Sequence, residues 1–515
     1  MSTVENSQLQ ALILKVEEIA PQLADFWQAT AIIESLGYTD HIIEAEFGFP
    51  NALALGCYVY ENHSPRPYFK PRQKPIQWKA KIAAEIKTFL AEFSRSFVYA
   101  LPLLVMLVIS YLPAAKDSTW LDPDLSALIT LTTISSMIAS GGFVQIISRR
   151  GRFYQQLEEP ILARRVCLSL LKVGLVTNLA LSLIGIWFGF YRNLFPDEYL
   201  IITNFYYLAL STLWMLFSIL SVFFSWGTLL ALLGLSSLFL ILRLWLGLGA
   251  IESQLVAMGL TLLVISGIVL IDFRNHLAAN RSSDQAGVSL PRLSAQVFIL
   301  APYFGYGIAY FSFIFLDRVI AGAALKPELG LLFAIDSEYQ RSLDLALLVF
   351  LLLVPVVEYL SYLYIRYWYK SQKQGFLNQR RSRELQGLYR AMIGLLILLF
   401  CLLTTFVIYV LAPLSWGSLN LWQTLVGSFS YLLFSIGLLN SIVLFSLSLP
   451  LKVLKSVLPG LGANLVSGYI LANLLDASFA VFGLSIGAAV FTLLSYLAVV
   501  DMIRQPDYGY YLGGY

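Results

Sequence analysis

The sequence predicts an all-α integral membrane protein, with about twelve transmembrane helices in two pseudo-symmetric six-helix lobes and a small helical cytosolic domain at the N-terminus. Three observations predict it. Of the 515 residues, 58% are hydrophobic and only 13% charged. Soluble domains average about 25% charged, so lipid is the expected main solvent. Apolar stretches long enough to cross about 30 Å of hydrocarbon recur from Ser96 onward, and the bases gather in alternate connections between them. The same composition excludes a soluble enzyme, a disordered chain, a collagen-like chain and a nucleic-acid binder. The formal net charge of +3 names no polyanionic partner.

The first element, residues 1–63, is acidic. Nine carboxylates (Glu5, Glu17, Glu18, Asp25, Glu34, Asp40, Glu44, Glu46, Glu61) face one base, Lys15. Apolar residues at helical spacing run through Leu12, Ile13, Val16 and Ile19, and again through Phe26, Ala29, Ile32, Ile33 and Leu36, with Gly37 as a stop. A docking or stabilising appendage and a regulatory sensor both fit. Residues 64–95 reverse the charge: Arg66, Lys70, Arg72, Lys74, Lys79, Lys81, Lys87 and Arg95 against Glu85 and Glu92. Four prolines between Asn62 and Pro75 make this a linker and a membrane collar.

The spans fall near 96–113, 125–147, 169–191, 199–224, 228–249, 253–272, 297–317, 342–366, 391–413, 421–449, 453–474 and 477–501. The weakest breaks are Ser225-Trp226-Gly227 and Gly249 to Gln254. Counting the connections this scheme places on each side gives 26 bases against five. That asymmetry supports both termini in the cytoplasm of a multi-pass membrane protein, with an even span count. Span 1 is expected to serve as its own entry signal, since roughly the first 90 residues hold no long apolar run. The polar, basic stretch 273–296 then separates a first lobe, 96–272, from a second lobe with a short tail, 297–515. A 6+6 outline with a central linker is that of a transporter with its substrate path between two bundles.

Several chemistries drop out. Cys57, Cys167 and Cys401 are far apart with no CxxC, which leaves no disulfide framework or zinc site to read. His41, His63 and His276 lie outside the apolar spans, which argues against a histidine-based metal centre or catalytic triad in the membrane. No G-x-x-x-x-G-K-[ST] loop is present. No cofactor, no metal and no catalytic residue are therefore expected.

Ionisable groups inside spans are costly and line cavities or pair with one another. The candidates are Arg243 in span 5, Asp317 and Arg318 at the outer end of span 7, Asp344 and Glu358 in span 8, and Asp476 between spans 11 and 12. Lys172, Asp272 and Arg366 read as boundary residues. In span 7, Tyr303, Tyr306, Tyr310 and Phe313, with Asp317 beyond, fall within about 80° of one face. Rings that offer an apolar face and a hydroxyl suit sugars, while helix packing and an interfacial aromatic belt explain the same stripe. In span 8, Asp344, Pro355, Glu358, Tyr362 and Arg366 share a face of similar width. Glu358 is deep enough to bind a cationic sugar, take up a coupling proton, or pair with Arg243 or Arg318. Pro459-Gly460-Leu461-Gly462 with Gly468, and Ser140-Gly141-Gly142, serve either as hinges or as packing positions.

The segment Ile299 to Gly307 through Phe315-Leu316-Asp317-Arg318-Val319-Ile320-Ala321, followed by Phe333-Ala334-Ile335 and Ser342-Leu343-Asp344-Leu345-Ala346, resembles the PelG-type exporters of Pel-like exopolysaccharide. These belong to the multidrug/oligosaccharidyl-lipid/polysaccharide (MOP) flippase superfamily. The specific part is an Asp-Arg pair ending span 7, a short outer loop, and an Asp-led span 8 with a proline and a glutamate. Gly142-Phe143, Ser148-Arg149-Arg150 and Phe153-Tyr154 match more weakly. The resemblance implies a twelve-helix transporter of the bacterial inner membrane that passes a polysaccharide or lipid-linked glycan between its lobes, surrounded by membrane lipids, with a separate glycosyltransferase making the polymer. The acidic domain at 1–63 is a departure from the short N-terminal segment of such exporters, and the glycan's identity does not transfer with the motif.

A polyprenyl-linked glycosyltransferase or polysaccharide polymerase is the rival from another class. Asp122-Pro123-Asp124 imitates an acidic transferase motif, though acids flanking a proline at a helix start are also N-caps. The outer connections are short and leave little material for an external active site. A MOP transporter of another substrate, a lipid-linked peptidoglycan precursor or a drug, is the second rival.

Overall fold

The computed structural model describes residues 3–20, 23, 25–62, 86, 89, 123–192, 195–224, 226–279, 293–325, 334, 336–373, 378–411 and 420–505. The expected first span at 96–113, Asp122 and the basic linker apart from Ile86 and Phe89 lie outside the described residues. The chain divides into two compact units, residues 1–85 and 86–515.

The first unit holds four helices, α1 (Thr3–Ile19), α2 (Phe26–Ser35), α3 (Asp40–Phe47) and α4 (Ala52–Asn62). The periodicity at Leu12, Val16 and Ile33 is a core periodicity: these residues are buried together with Ala29, Ile43, Leu55 and Val59. The ends are capped as the sequence suggests. The Asp25 carboxylate accepts the Gln28 N–H at 2.8 Å at the start of α2, and Gly37, at φ +90°, ends the stretch that follows. Asp40 and Asn51 fix the α3–α4 corner by accepting the N–H groups of Ala52 and Ala54, each at 2.8 Å.

In the second unit, eleven helices among the described residues are long and apolar enough to cross a membrane. They are α5 (Pro123–Gln156), α6 (Pro160–Arg192), α7 (Asp197–Phe223), α8 (Gly227–Leu244), α9 (Ala250–Ala279), α10 (Leu293–Ala324), α11 (Ser337–Lys373), α12 (Asn378–Phe406), α13 (Leu421–Ser446), α14 (Pro450–Leu474) and α15 (Ala480–Arg504). They correspond in order to spans 2 to 12. Both weak breaks are real: α7 stops before Trp226 and α9 starts after Gly249, whose N–H donates to the Glu252 carboxylate at 3.0 Å.

The connections on the basic side are shorter than the sequence reading drew them. The 273–296 linker is partly helical, since α9 runs to Ala279 and α10 starts at Leu293, and much of the basic stretch from Arg366 to Arg390 belongs to α11 and α12. Hydropathy marks where the hydrocarbon ends, but Arg, Lys and Gln are good helix formers and carry the helix on into the interface. At 37 residues α11 is about 55 Å long, well beyond the bilayer core.

Helices α5–α9 pack around Phe143, Ile147, Cys167, Leu213, Leu216, Leu220, Met258 and Phe273. Helices α10–α15 pack around Phe313, Phe350, Val357, Trp368, Tyr431, Phe434 and Phe491. The Pro459 and Gly468 region does not break α14. It lets α14 and α15 approach until a Cβ on Gly483 would stand 2.4 Å from the Gly468 Cα. Asp476 accepts from the Ser478 N–H at 3.2 Å and from its hydroxyl. These bonds hold its carboxyl below the ordinary carboxylate range, so it caps the turn entering α15.

The two lobes meet along α5 and α10. A Cβ on Gly307 would stand 2.4 Å from the Gly141 carbonyl oxygen, and a Cβ on Gly141 would stand 2.8 Å from the Gly307 oxygen. Backbone therefore touches backbone at this crossing, and Gly141 is a packing position. Phe143 and Phe304 extend the seam with an edge-to-face contact at 5.0 Å. The described contacts between the lobes lie toward the basic end, between residues 141–149 of α5 and 300–311 of α10 and from Arg149 to Phe445 of α13.

Two corners at this end match. Helices α5 and α13 both end with a non-glycine residue at positive φ, Glu158 at 58° and Ser448 at 57°. In each, the N–H two residues past the cap reaches back five residues, Glu159 to Tyr154 at 3.0 Å and Leu449 to Leu444 at 2.9 Å. A proline then opens the next helix, Pro160 or Pro450. This is a Schellman ending followed by Pro at N1, which makes a short, stiff corner.

Candidate functional site in the C-terminal lobe

Asp317, Arg318 and Asp344 assemble where α10, α11 and α13 converge. Asp317 and Arg318 follow each other on α10 and so point in different directions, about 100° apart. Arg318, 4% exposed, turns to α11 and places Nη2 2.8 Å from Asp344 Oδ1. Asp317, fully buried, receives a hydroxyl from Tyr339 at 3.3 Å on Oδ2, and its Oδ1 has no hydrogen-bond partner. The buried Arg318 Nε is likewise unsatisfied. Tyr431 of α13 closes the cluster by donating to the Ile314 carbonyl at 3.2 Å.

The pairing is asymmetric. The Arg318 guanidinium makes its close ion pair with Asp344, and the buried Asp317 carboxylate is held by the Tyr339 hydroxyl beside it. Asp344 is the accessible end of the cluster, with 37% of its side chain exposed.

The two polar stripes expected from the sequence end up in different places. On α10, Tyr306 is buried and meets Phe445 edge-to-face at 4.9 Å, Tyr310 lies tilted against Phe434 at 5.5 Å, and Tyr303 meets Phe445 at 5.1 Å. That face is packed against α13 inside the lobe. On α11, Val357, Tyr364 and Trp368 are buried, whereas Asp344 and Glu358 are half-buried and Tyr362 and Arg366 exposed. This stripe is the open one. Next to Glu358, Tyr359 meets Phe89 edge-to-face at 5.0 Å. Arg243 sits at the end of α8 and donates to the Leu248 carbonyl at 2.8 Å, in the turn toward α9.

Sequence reasoning misses two participants. Tyr339 lies just ahead of the expected start of span 8, and Tyr431 belongs to span 10, whose apolar pattern gives no hint of it. The first lobe also carries a neutral polar set: the Tyr206 hydroxyl accepts from Gln254 at 3.0 Å and from Thr133 at 3.4 Å, and Tyr207 donates to Asn178 at 3.0 Å. Serine, threonine, asparagine and tyrosine are common enough in this chain that composition could not single these out.

No family model matches the chain, and no curated protein sequence matches it. Solved structures do. The chain is similar to MATE in complex with MaD5 over 82% of its own length and 97% of that chain, with a TM-score of 0.54 at 14% identity. It is also similar to the outward-facing conformation of a multidrug resistance MATE family transporter of the MOP superfamily, over 82% and 96% of the two chains, with a TM-score of 0.52 at 15% identity. The inward-facing conformation of a transporter so described gives a TM-score of 0.50 at 12% identity. The protein is a multi-pass, all-α membrane protein with the fold of MATE transporters.

Proposed function

We propose that the chain is a transporter that moves a polysaccharide or a lipid-linked oligosaccharide across the bacterial inner membrane, by exposing a path between its lobes to one side and then the other. Both termini are cytoplasmic in this reading, and the basic end of the bundle faces the cytosol. The observation that carries it is the combination of an interlobe seam whose described contacts lie toward the basic end with an open polar face on α11. The likeness to MATE structures described as outward-facing and inward-facing supports movement between two such states. The chain is not an enzyme in this reading, and a glycosyltransferase or synthase on the cytosolic side supplies the polymer.

Each residue has a distinct task. Asp344, Glu358, Tyr362 and Arg366 offer charges and hydroxyls to a hydrated substrate along α11. Asp317 couples the cycle to a cation, because loading it with a proton or metal cation changes the charge beside the Arg318–Asp344 pair. Tyr303, Tyr306 and Tyr310 set the packing of α10 on α13, and Arg243 fixes the outer turn between α8 and α9. The polysaccharide reading rests on the resemblance in α10 and α11. A buried carboxylate also suits a cationic amphiphile, and one neighbour is described as a multidrug resistance transporter.

The test is extracellular polysaccharide from cells carrying Asp317→Asn or Glu358→Gln at equal protein level. The reading expects export to fall in both. Unchanged export in both would overturn it, and unchanged export with loss of tolerance to cationic drugs would favour the drug-transport alternative.

A further inference from the structure

We propose that Arg149, a single residue of the first lobe, latches the two lobes shut at the basic end by clasping the C-terminus of α13. The inference rests on the two-state transporter reading and adds the element that holds one state. Arg149 lies two turns before the end of α5, where its guanidinium reaches out of its own lobe. Its Nη2 donates to the Phe445 carbonyl at 2.8 Å, and the guanidinium carbon lies 5.3 Å from the centroid of the Tyr303 ring. One side chain thus holds two helices of the opposite lobe, α13 and α10.

The target is chemically suited to a cation. Phe445 is the penultimate residue of α13, where helix carbonyls have lost their partners and the helix dipole is negative. One lone pair of Phe445 O is taken by the Ser448 N–H at 3.0 Å, within the Schellman ending. The second faces the first lobe and takes Arg149. The neighbouring Ser446 carbonyl is taken by the Tyr369 hydroxyl at 3.2 Å, so Tyr369 and Arg149 divide the exposed end of the helix between them. Tyr303 and Phe445 are themselves in ring contact at 5.1 Å, which fixes both targets of Arg149 in one place.

Arg149 therefore acts as a positioning residue. It touches helix ends, and both of its contacts must break before the lobes part at the basic end. Lysine cannot replace it fully. An ammonium reaches either the carbonyl or the ring, whereas the planar guanidinium stacks on the ring while donating along its edge. A charge-assisted hydrogen bond together with an exposed cation–π contact biases the equilibrium toward the closed basic end by about tenfold.

The experiment uses the full chain in lipid nanodiscs, in a Cys57→Ser, Cys167→Ala, Cys401→Ser background, with spin labels on Gln156→Cys in the first lobe and Lys455→Cys in the second. Pulsed dipolar spectroscopy then reads the distance distribution across the basic end. The expected result is a longer-distance population that rises about tenfold in Arg149→Ala, with an intermediate rise in Arg149→Lys and in Tyr303→Leu. Gly307→Ala serves as the reference, because a methyl there wedges the seam directly. If Gly307→Ala lengthens the distance and Arg149→Ala does not, the latch is overturned while the moving lobes stand. If neither changes the distribution, the two-state reading falls with it.

Discussion

The seam between α5 and α10 gives the sharpest quantitative expectation. In Gly307→Ala the new methyl would sit 2.4 Å from the Gly141 carbonyl oxygen, 2.8 Å from its carbonyl carbon and 2.8 Å from Gln145 Cγ. Carbon contacts are comfortable at about 3.5–4.0 Å, so the two helices must part by about 1 Å. Gln145 can swing aside, but the Gly141 backbone cannot. Overpacking of this kind costs about 1–3 kcal/mol. Charged only to the conformation in which the seam is closed, that cost shifts a two-state equilibrium by roughly 5- to 150-fold. Two readouts separate the possibilities in purified protein: the thermal unfolding midpoint, and accessibility of a cysteine at Gln145 to a membrane-impermeant maleimide. The expected result is a small change in midpoint with a rise in labelling of at least about fivefold. Unchanged labelling and an unchanged midpoint would refute the reasoning, since they would mean that the backbones do not touch at Gly141 and Gly307. The same refutation would remove the closed seam on which the moving-lobe account depends.

The remaining expectations concern the helix ends. Ser448→Gly and Glu158→Gly each relieve a left-handed residue at a Schellman ending and should stabilise the fold by about 0.5–1 kcal/mol, read as a higher unfolding midpoint. A lower midpoint in both would contradict the corner geometry. Asp476 has a folded-state pKa depressed by its bonds to Ser478, so its contribution is present above the ordinary carboxylate value of 3.8 and is lost as pH falls through the lower folded value. The midpoint difference between the wild type and Asp476→Ala should therefore be full near about pH 6 and shrink toward about pH 3, and a difference independent of pH would rule the cap out.

Much of the architecture was legible because its causes are local and additive. Apolar length marked the spans, and the eleven that are described match their expected order. Gly37 stopped its helix where the periodicity ended, and even the thin breaks at Trp226 and Gly249 held. What was not legible was which helix faces which. The stripes on α10 and α11 have the same width and similar chemistry on a helical wheel, but a wheel carries no information about the neighbour. Only the packing distinguishes them: α13 covers Tyr306 and Tyr310 with Phe434 and Phe445, and leaves Glu358 and Tyr362 on the open side. The ion pairs were hidden for the same reason. The sequence leaves Glu358 open to Arg243, Arg318, a sugar or a proton, whereas Arg318 pairs with Asp344, a choice decided by how α10 crosses α11. Arg149 stands out in the sequence only as a base and as part of a weak motif match, because its contact is a carbonyl 296 residues away. Helix ends beyond the hydrocarbon were drawn too short, since hydropathy reports the solvent and not the backbone.

The central claim is that the two lobes rock against each other, parting at the α5–α10 seam in one state, so that one end closes as the other opens. The most direct test measures both ends in the same lipid-embedded protein: spin labels on Gln156→Cys and Lys455→Cys for the basic end, and on Glu198→Cys and Asn473→Cys for the opposite end. Across the wild type, Arg149→Ala and Gly307→Ala, the account predicts inverse changes, with the basic-end distance lengthening as the opposite-end distance shortens. Distances that lengthen together, or a basic end that moves while the opposite end stays fixed, would contradict it.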